Sequence, residues 1–190
     1  MLPSLMTHLV VTGVNSMNKL FRMVVWAAPV FLSMLYFSNA QAWTDDLDKL
    51  DDVNKVCKFE PGAQCSWAVR VGVEAPGVDL HEASLASIRL DRANLQRANL
   101  SHAIIQLGSL KEANLMLANL EGAHMHGVNL RGANLMLANL QKVNLLDADL
   151  SGANLRGANL TGAILMKVRF DNAIWTDGHT CAADSIGECK

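Results

Sequence analysis

A chain of 190 residues has room for one domain and a targeting segment, and too few residues for two comfortable globular units. Half of it is apolar but only 5% is aromatic, so the interior must be filled by many small aliphatic side chains rather than a few large rings. A formal charge of −2 with mixed signs excludes the basic footprint expected of a nucleic-acid binder.

The first 44 residues carry charge only at Lys19 and Arg22, and the run from Met23 to Phe37 is almost wholly apolar. Ser38, Asn39, Ala40, Gln41 and Ala42 follow, with small alanines where a signal peptidase inspects the chain, so residues 1–42 read as a signal peptide cleaved before Trp43. The alternative is an uncleaved membrane anchor over Met23 to Thr44, which Pro29 and the Ala-Gln-Ala ending oppose. Membrane contact is expected only through this segment. Met17 opens a short charged n-region of its own and is a second candidate start. Export implies a periplasmic or secreted protein in an oxidising compartment.

Behind the leader, 43–77 is expected to form an N-terminal cap. In it Leu47, Leu50 and Val53 suggest a short helix, and Trp67 to Val73 an entry strand. Four cysteines sit as two equally spaced pairs, Cys57 with Cys65 and Cys181 with Cys189. Of the three possible pairings, equal spacing and a secretory setting favour two local disulfides. Neither pair has the two-to-four-residue gap of a zinc knuckle, so no metal is expected. Without the leader the formal charge is −4, whereas residues 78–175 hold nine basic and eight acidic residues and are nearly neutral.

From Leu80 to Trp175 every fifth residue is large and apolar, Leu at sixteen of twenty sites, with Ile105, Met125, Phe170 and Trp175 as the others. Two residues before each stands mostly Ala, and Asn most often lies between, giving a unit Ala-Asn-Leu-x-x. A helix turning about 100° per residue would smear this period around its circumference. A flat strand would send successive leucines to opposite faces. A chain that bends once per unit satisfies it, with Ala and Leu inside, Asn outside and the last two residues at the corner. Gly122, Gly127, Gly132, Gly152, Gly157 and Gly162 supply backbone freedom at the second corner place.

Irregularities recur every twenty residues. The Ala position is altered at Ile88, Gly108, Val128 and Val168, while Ala93, Ala113, Ala133, Ala153 and Ala173 do not vary; Val143 is the lone outlier. Twenty residues per coil means four sides, hence about five coils over 78–175, a rod about 24 Å long at the usual spacing of paired strands. Residues 176–190 are expected to cap its end, with Trp175 covering the last coil.

This motif resembles that of the pentapeptide-repeat family over 100 of the 190 positions. The resemblance implies an all-β fold, a right-handed quadrilateral parallel β-helix, here with disulfide-stapled caps. Ile104, Ile164 and Ile174 depart from the pattern and put apolar groups outside.

Inward residues are fixed by packing, so a function is expected on the corners or caps. Met116, Leu117, Met136 and Leu137 stack on one edge as a candidate interaction patch; Leu107, Leu146 and Met166 form a looser second one. His124 and His126 flank inward Met125 without a third ligand, and no nucleophile, base and orienting group converge. The reading is a non-enzymatic, exported protein-interaction or scaffolding module without cofactor, whose partner is another protein or a second copy. Some pentapeptide-repeat proteins mimic DNA and bind type II topoisomerases, but near-neutral coils and export oppose that alternative. A β-helical enzyme acting on envelope polysaccharide is opposed by the scattered charges.

Overall fold

The computed structural model describes Asn54 and residues 56–190. The expected signal peptide over 1–42 and almost all of the expected helix over 43–56 lie outside the described residues. Among the described residues no helix is long and apolar enough to cross a membrane.

The described chain winds into four columns of short parallel bridges, each joining a residue to the one twenty positions later. One column runs through Gln64, Ser84, Ile104, His124, Asn144 and Ile164; the next through Val69, Arg89, Ser109, Asn129, Asp149 and Arg169. The third holds Glu74, Asn94, Asn114, Asn134, Asn154 and Ile174, and the fourth Asp79, Asn99, Asn119, Asn139 and Asn159. The ladder therefore begins at Gln64 rather than Val78, and three of the four columns hold six segments, one coil beyond the five expected from the leucine period. The reason lies in the side chains. Cys65, Arg70 and Ala75 occupy inward places where later coils carry Leu, so the period does not mark them. Trp67 to Val73 is accordingly one side of a coil, centred on Val69, between corners at Trp67 and Gly72, with Val73 beginning the next side, and not a single entry strand.

Within each coil, leucines at the fifth position and alanines two places before them are buried, nearly all completely, and form one continuous core. Volume is matched down the columns. Ile88 is accommodated because Gly108 lies beneath it, where an added Cβ would stand 3.1 Å from the Ile88 carbonyl oxygen and 3.0 Å from that of Ile105.

The corner explains the asparagine. At Asn94, Asn99, Asn114, Asn119, Asn134, Asn139, Asn154 and Asn159 the Oδ1 accepts the backbone N–H two residues on, closing the turn from outside. On two columns the Nδ2 also donates to the residue of the preceding coil. Asn99 reaches Asp79 at 2.9 Å, Asn119 reaches Asn99 at 3.3 Å, and Asn139 reaches Asn119 at 3.0 Å. The outward amide thus performs two tasks, closing its own turn and joining its coil to the preceding one.

Both ends are treated differently from the middle. At the first coil Asn54 donates to the carbonyls of Gln64 and Ser66, and the Arg70 guanidinium donates to the carbonyls of Val69 and Asn54. Cys57 is bridged to fully buried Cys65. At the far end the chain reverses, so that Thr180 pairs antiparallel with Ile174 and Ile186 with Arg169. Phe170 and Trp175 meet edge to face at 5.0 Å beneath this cap.

Substitutions at two positions separate core from corner. Leu115→Ala empties a fully buried site and is expected to cost about 2–5 kcal/mol. Asn119→Ala removes its turn bond and both ladder bonds, an expected loss of about 1–3 kcal/mol, whereas Asn119→Asp keeps the acceptor and should lose less. Chemical unfolding of the three variants checks the order.

Candidate functional site

Every unit turns its corner on a residue in the left-handed region, whether or not that residue is glycine. Leu117 has φ 61° and Leu137 φ 59°, and each lies one coil from the other on the same edge. Their exposures are 40% and 53%, while Met116 and Met136 beside them are half-buried. The Leu137 side chain lies over Gly157, where an added Cβ would come within 2.6 Å of its Cδ2. Of the four residues named from sequence, Leu117 and Leu137 are thus exposed one coil apart, Met116 and Met136 are half-buried beside them, and the Leu137 side chain rests on a glycine.

The looser patch is not continuous. Leu107, 68% exposed, lies over Gly127, and the ion pair of His126 with Asp147 at 3.4 Å stands between it and Leu146 and Met166. His126 is engaged by that carboxylate, so His124 and His126 do not gather a metal set. Ile104 and Ile164 are exposed, as their outward places require, and Ile174 is half-buried under the reversing chain.

On the second column, Asp149 lies between Arg131 at 3.2 Å and Arg169 at 3.8 Å, and Arg169 also reaches Asp171 at 3.1 Å. Burial alone would raise the Asp149 carboxyl, but the hydroxyl and backbone N–H of Ser151 and the Arg131 guanidinium outweigh it and hold the group below the usual carboxylate range. A shallow depression lined by Arg131, Ser151, Gly152, Arg169, Asp171 and Asn172 opens beside these charges. Ser151 donates to Asp149 with no imidazole in the set, so it lacks the base of a nucleophilic site.

The C-terminal cap carries the densest chemistry. Cys181, buried, is bridged to half-buried Cys189, and the two Cα atoms are 5.0 Å apart. His179 Nε2 stands 3.0 Å from Cys189 Sγ, and His179 Nδ1 is 2.5 Å from Asp177 Oδ1. The Asp177 carboxyl is held below its ordinary value, first by the backbone N–H of His179 and then by its ring. Sequence reasoning treated the two cysteines as a staple alone. The His-x-Cys spacing of His179 and Cys181 was the available signal, and the turn at Asp177 and Gly178 is what swings the imidazole onto the sulfur.

A pentapeptide-repeat family model matches the chain in eight copies over residues 77–111, 113–145 and 133–172, which together make up half of the chain. Among solved structures the fold is similar to a pentapeptide repeat protein, Rfr23, from the cyanobacterium Cyanothece 51142, at 33% identity and TM-score 0.57, covering 59% of this chain and 90% of that one. A pentapeptide repeat protein from Nostoc Pcc 7120 matches at 45% identity and TM-score 0.42, covering 42% of this chain and 66% of that one. No curated protein matches the chain. The similarity to Rfr23 implies that the four columns form a right-handed quadrilateral β-helix. Proteins built on this repeat are generally non-enzymatic structural or binding proteins. The chain belongs to the pentapeptide-repeat family.

Proposed function

We propose that the chain is an exported, non-enzymatic interaction module that binds another protein through the edge formed by Met116, Leu117, Met136 and Leu137. The observation that carries this reading is the pair of exposed leucines in the left-handed region. Each leucine there costs about 1–2 kcal/mol in backbone conformation, and leaves apolar surface in water as well. Glycine at neighbouring corners shows that the fold itself asks for no side chain at this place. Exposed apolar strips rimmed by polar residues are a common form of contact surface, and here Arg97 stands one coil before Leu117 on the same edge and Glu121 lies at the next corner along the chain.

Asparagine tolerates the left-handed region, so Leu117→Asn with Leu137→Asn removes the apolar strip without asking the backbone to move. Crosslinking of the mature protein in a periplasmic extract, beside this double variant, is expected to lose one specific adduct in the variant. Sedimentation velocity of the purified protein tells whether that adduct is a second copy of the chain. An adduct pattern identical in both proteins contradicts the assignment of the strip.

Export is part of the same proposal and is supported by the apolar leader ending in Ala-Gln-Ala and by two cysteine pairs, each bridged locally. Expressed with its leader in a bacterial host, the protein is expected in the periplasmic fraction with Trp43 as its first residue. Intact-mass measurement checks this, and a species retaining residues 23–42 would favour the anchored alternative.

A further inference from the structure

The two disulfides are not equivalent. Cys65 is fully buried, and no histidine or carboxylate gathers with Cys57 and Cys65 into a ligand group among the described residues. At the other end His179, Cys181 and Cys189 each present one ligand atom, and all three atoms lie within 4.8 Å of one another. His179 Nδ1 faces Asp177 Oδ1 and its Nε2 faces Cys189 Sγ, so an imidazole that gives its Nδ1–H to the carboxylate has Nε2 free to bind a metal. A carboxylate fixing the far nitrogen of an imidazole is the usual support behind a metal-bound histidine.

The loop that presents these atoms is held by bonds other than the disulfide. The Cys181 N–H donates to the Ala173 carbonyl and the Trp175 N–H to the His179 carbonyl, each at 2.8 Å. The Ala182 N–H donates to the Lys190 carbonyl at 2.8 Å, closing the loop across its base. Buried Ser185 donates to the Ala182 carbonyl at 2.8 Å and accepts from the Lys190 N–H at 3.2 Å. Opening the sulfur–sulfur bond therefore leaves both thiols beside the imidazole.

We propose that the C-terminal cap is a redox-gated metal site: a dithiol reductant opens Cys181–Cys189, and Cys181 Sγ, Cys189 Sγ and His179 Nε2 then hold a thiophilic closed-shell cation, zinc(II) in the first instance. A thiolate of the reductant attacks the more accessible Cys189 sulfur, forming a mixed disulfide and releasing Cys181. The second thiol of the reductant then displaces Cys189. Two electrons pass from the dithiol, which leaves as a disulfide, to the two cysteines, which take up its two protons. Coordination of zinc to both sulfurs as thiolates releases those two protons. Tetrahedral zinc with Zn–S of about 2.3 Å and Zn–N of about 2.0–2.1 Å sets its donors roughly 3.4–3.8 Å apart. Once the bond is open, side-chain rotation supplies the spreading of the sulfurs that this requires. Three protein ligands leave the fourth position to water or to a donor from another molecule. This assignment stands independently of the leucine strip.

The test uses the mature protein, reduced anaerobically with a phosphine and desalted, then titrated with zinc(II) against a chromophoric chelator and with cobalt(II) as a spectroscopic substitute. The reduced protein is expected to take up one zinc per chain and to show sulfur-to-cobalt charge transfer, and the oxidised protein to take up none. Cys57→Ser with Cys65→Ser should retain that stoichiometry. His179→Ala, at an exposed position, should weaken affinity at least tenfold, and Asp177→Asn by about tenfold, as loss of a supporting carboxylate does elsewhere. The proposal is overturned if the reduced protein takes up no zinc, if His179→Ala binds as tightly as the parent, or if uptake survives Cys181→Ser with Cys189→Ser.

Discussion

The left-handed corner residue is the constraint on which the rest of the structure depends. Because the chain enters positive φ once in every unit, from Gly62 through Gly162 and on to Asn172, each side is only a short extended piece and pairs with its neighbours one coil away. That fixes the twenty-residue register, which in turn stacks like on like: leucine on leucine inside, asparagine on asparagine outside. The asparagine Oδ1 secures the corner by accepting the N–H two residues on, so the same residue that is polar enough to face water also enforces the bend. Burial then rewards a geometry that the turn has already set.

A fold specified this strongly by its inward and Asn positions leaves the second corner residue almost free. Arg97, Glu112, Lys142 and Asp147 take the same φ as the glycines, each at a conformational cost but with a side chain solvated as usual. Leu117 and Leu137 bear that cost and expose apolar surface besides, as Leu107 does, but only these two stand one coil apart on the same edge. This is why the functional reading rests on them and not on the buried leucines. The ends obey a different rule, since an open coil presents unpaired backbone. One end uses Asn54 and Arg70 to meet it, the other a reversed chain, and the cap that reversal creates is where Asp177, His179 and the cysteine pair come together.

Much of this was legible in the sequence because period five admits few solutions. The four sides followed from the shared deviations at Ile88, Gly108 and Val128, which the structure stacks in one column. The first coil was not legible, because Cys65, Arg70 and Ala75 hold inward places that the leucine period does not mark; their register becomes visible only through the bridges to Ser84, Arg89 and Asn94. The strip at Met116 to Leu137 was legible because a twenty-residue duplication places it on one edge. The second strip was overestimated, since the pairing of His126 with Asp147 is a side-chain contact that no spacing encodes. His179 was missed for a related reason: its approach to Cys189 depends on antiparallel reversal after Trp175, a departure from the repeat and so outside what the repeat can predict.

The central claim is that the corner leucines serve contact rather than folding. The most direct test is an asparagine scan of the corner residues Ser87, Arg97, Leu107, Leu117 and Leu137, with the thermal midpoint of each variant measured under one condition. The account predicts that Leu117→Asn and Leu137→Asn unfold at or above the parent's temperature, within the range of Ser87→Asn and Arg97→Asn. A loss at either leucine of the size produced by emptying a core site, about 2 kcal/mol or more, would make the strip structural and contradict the account.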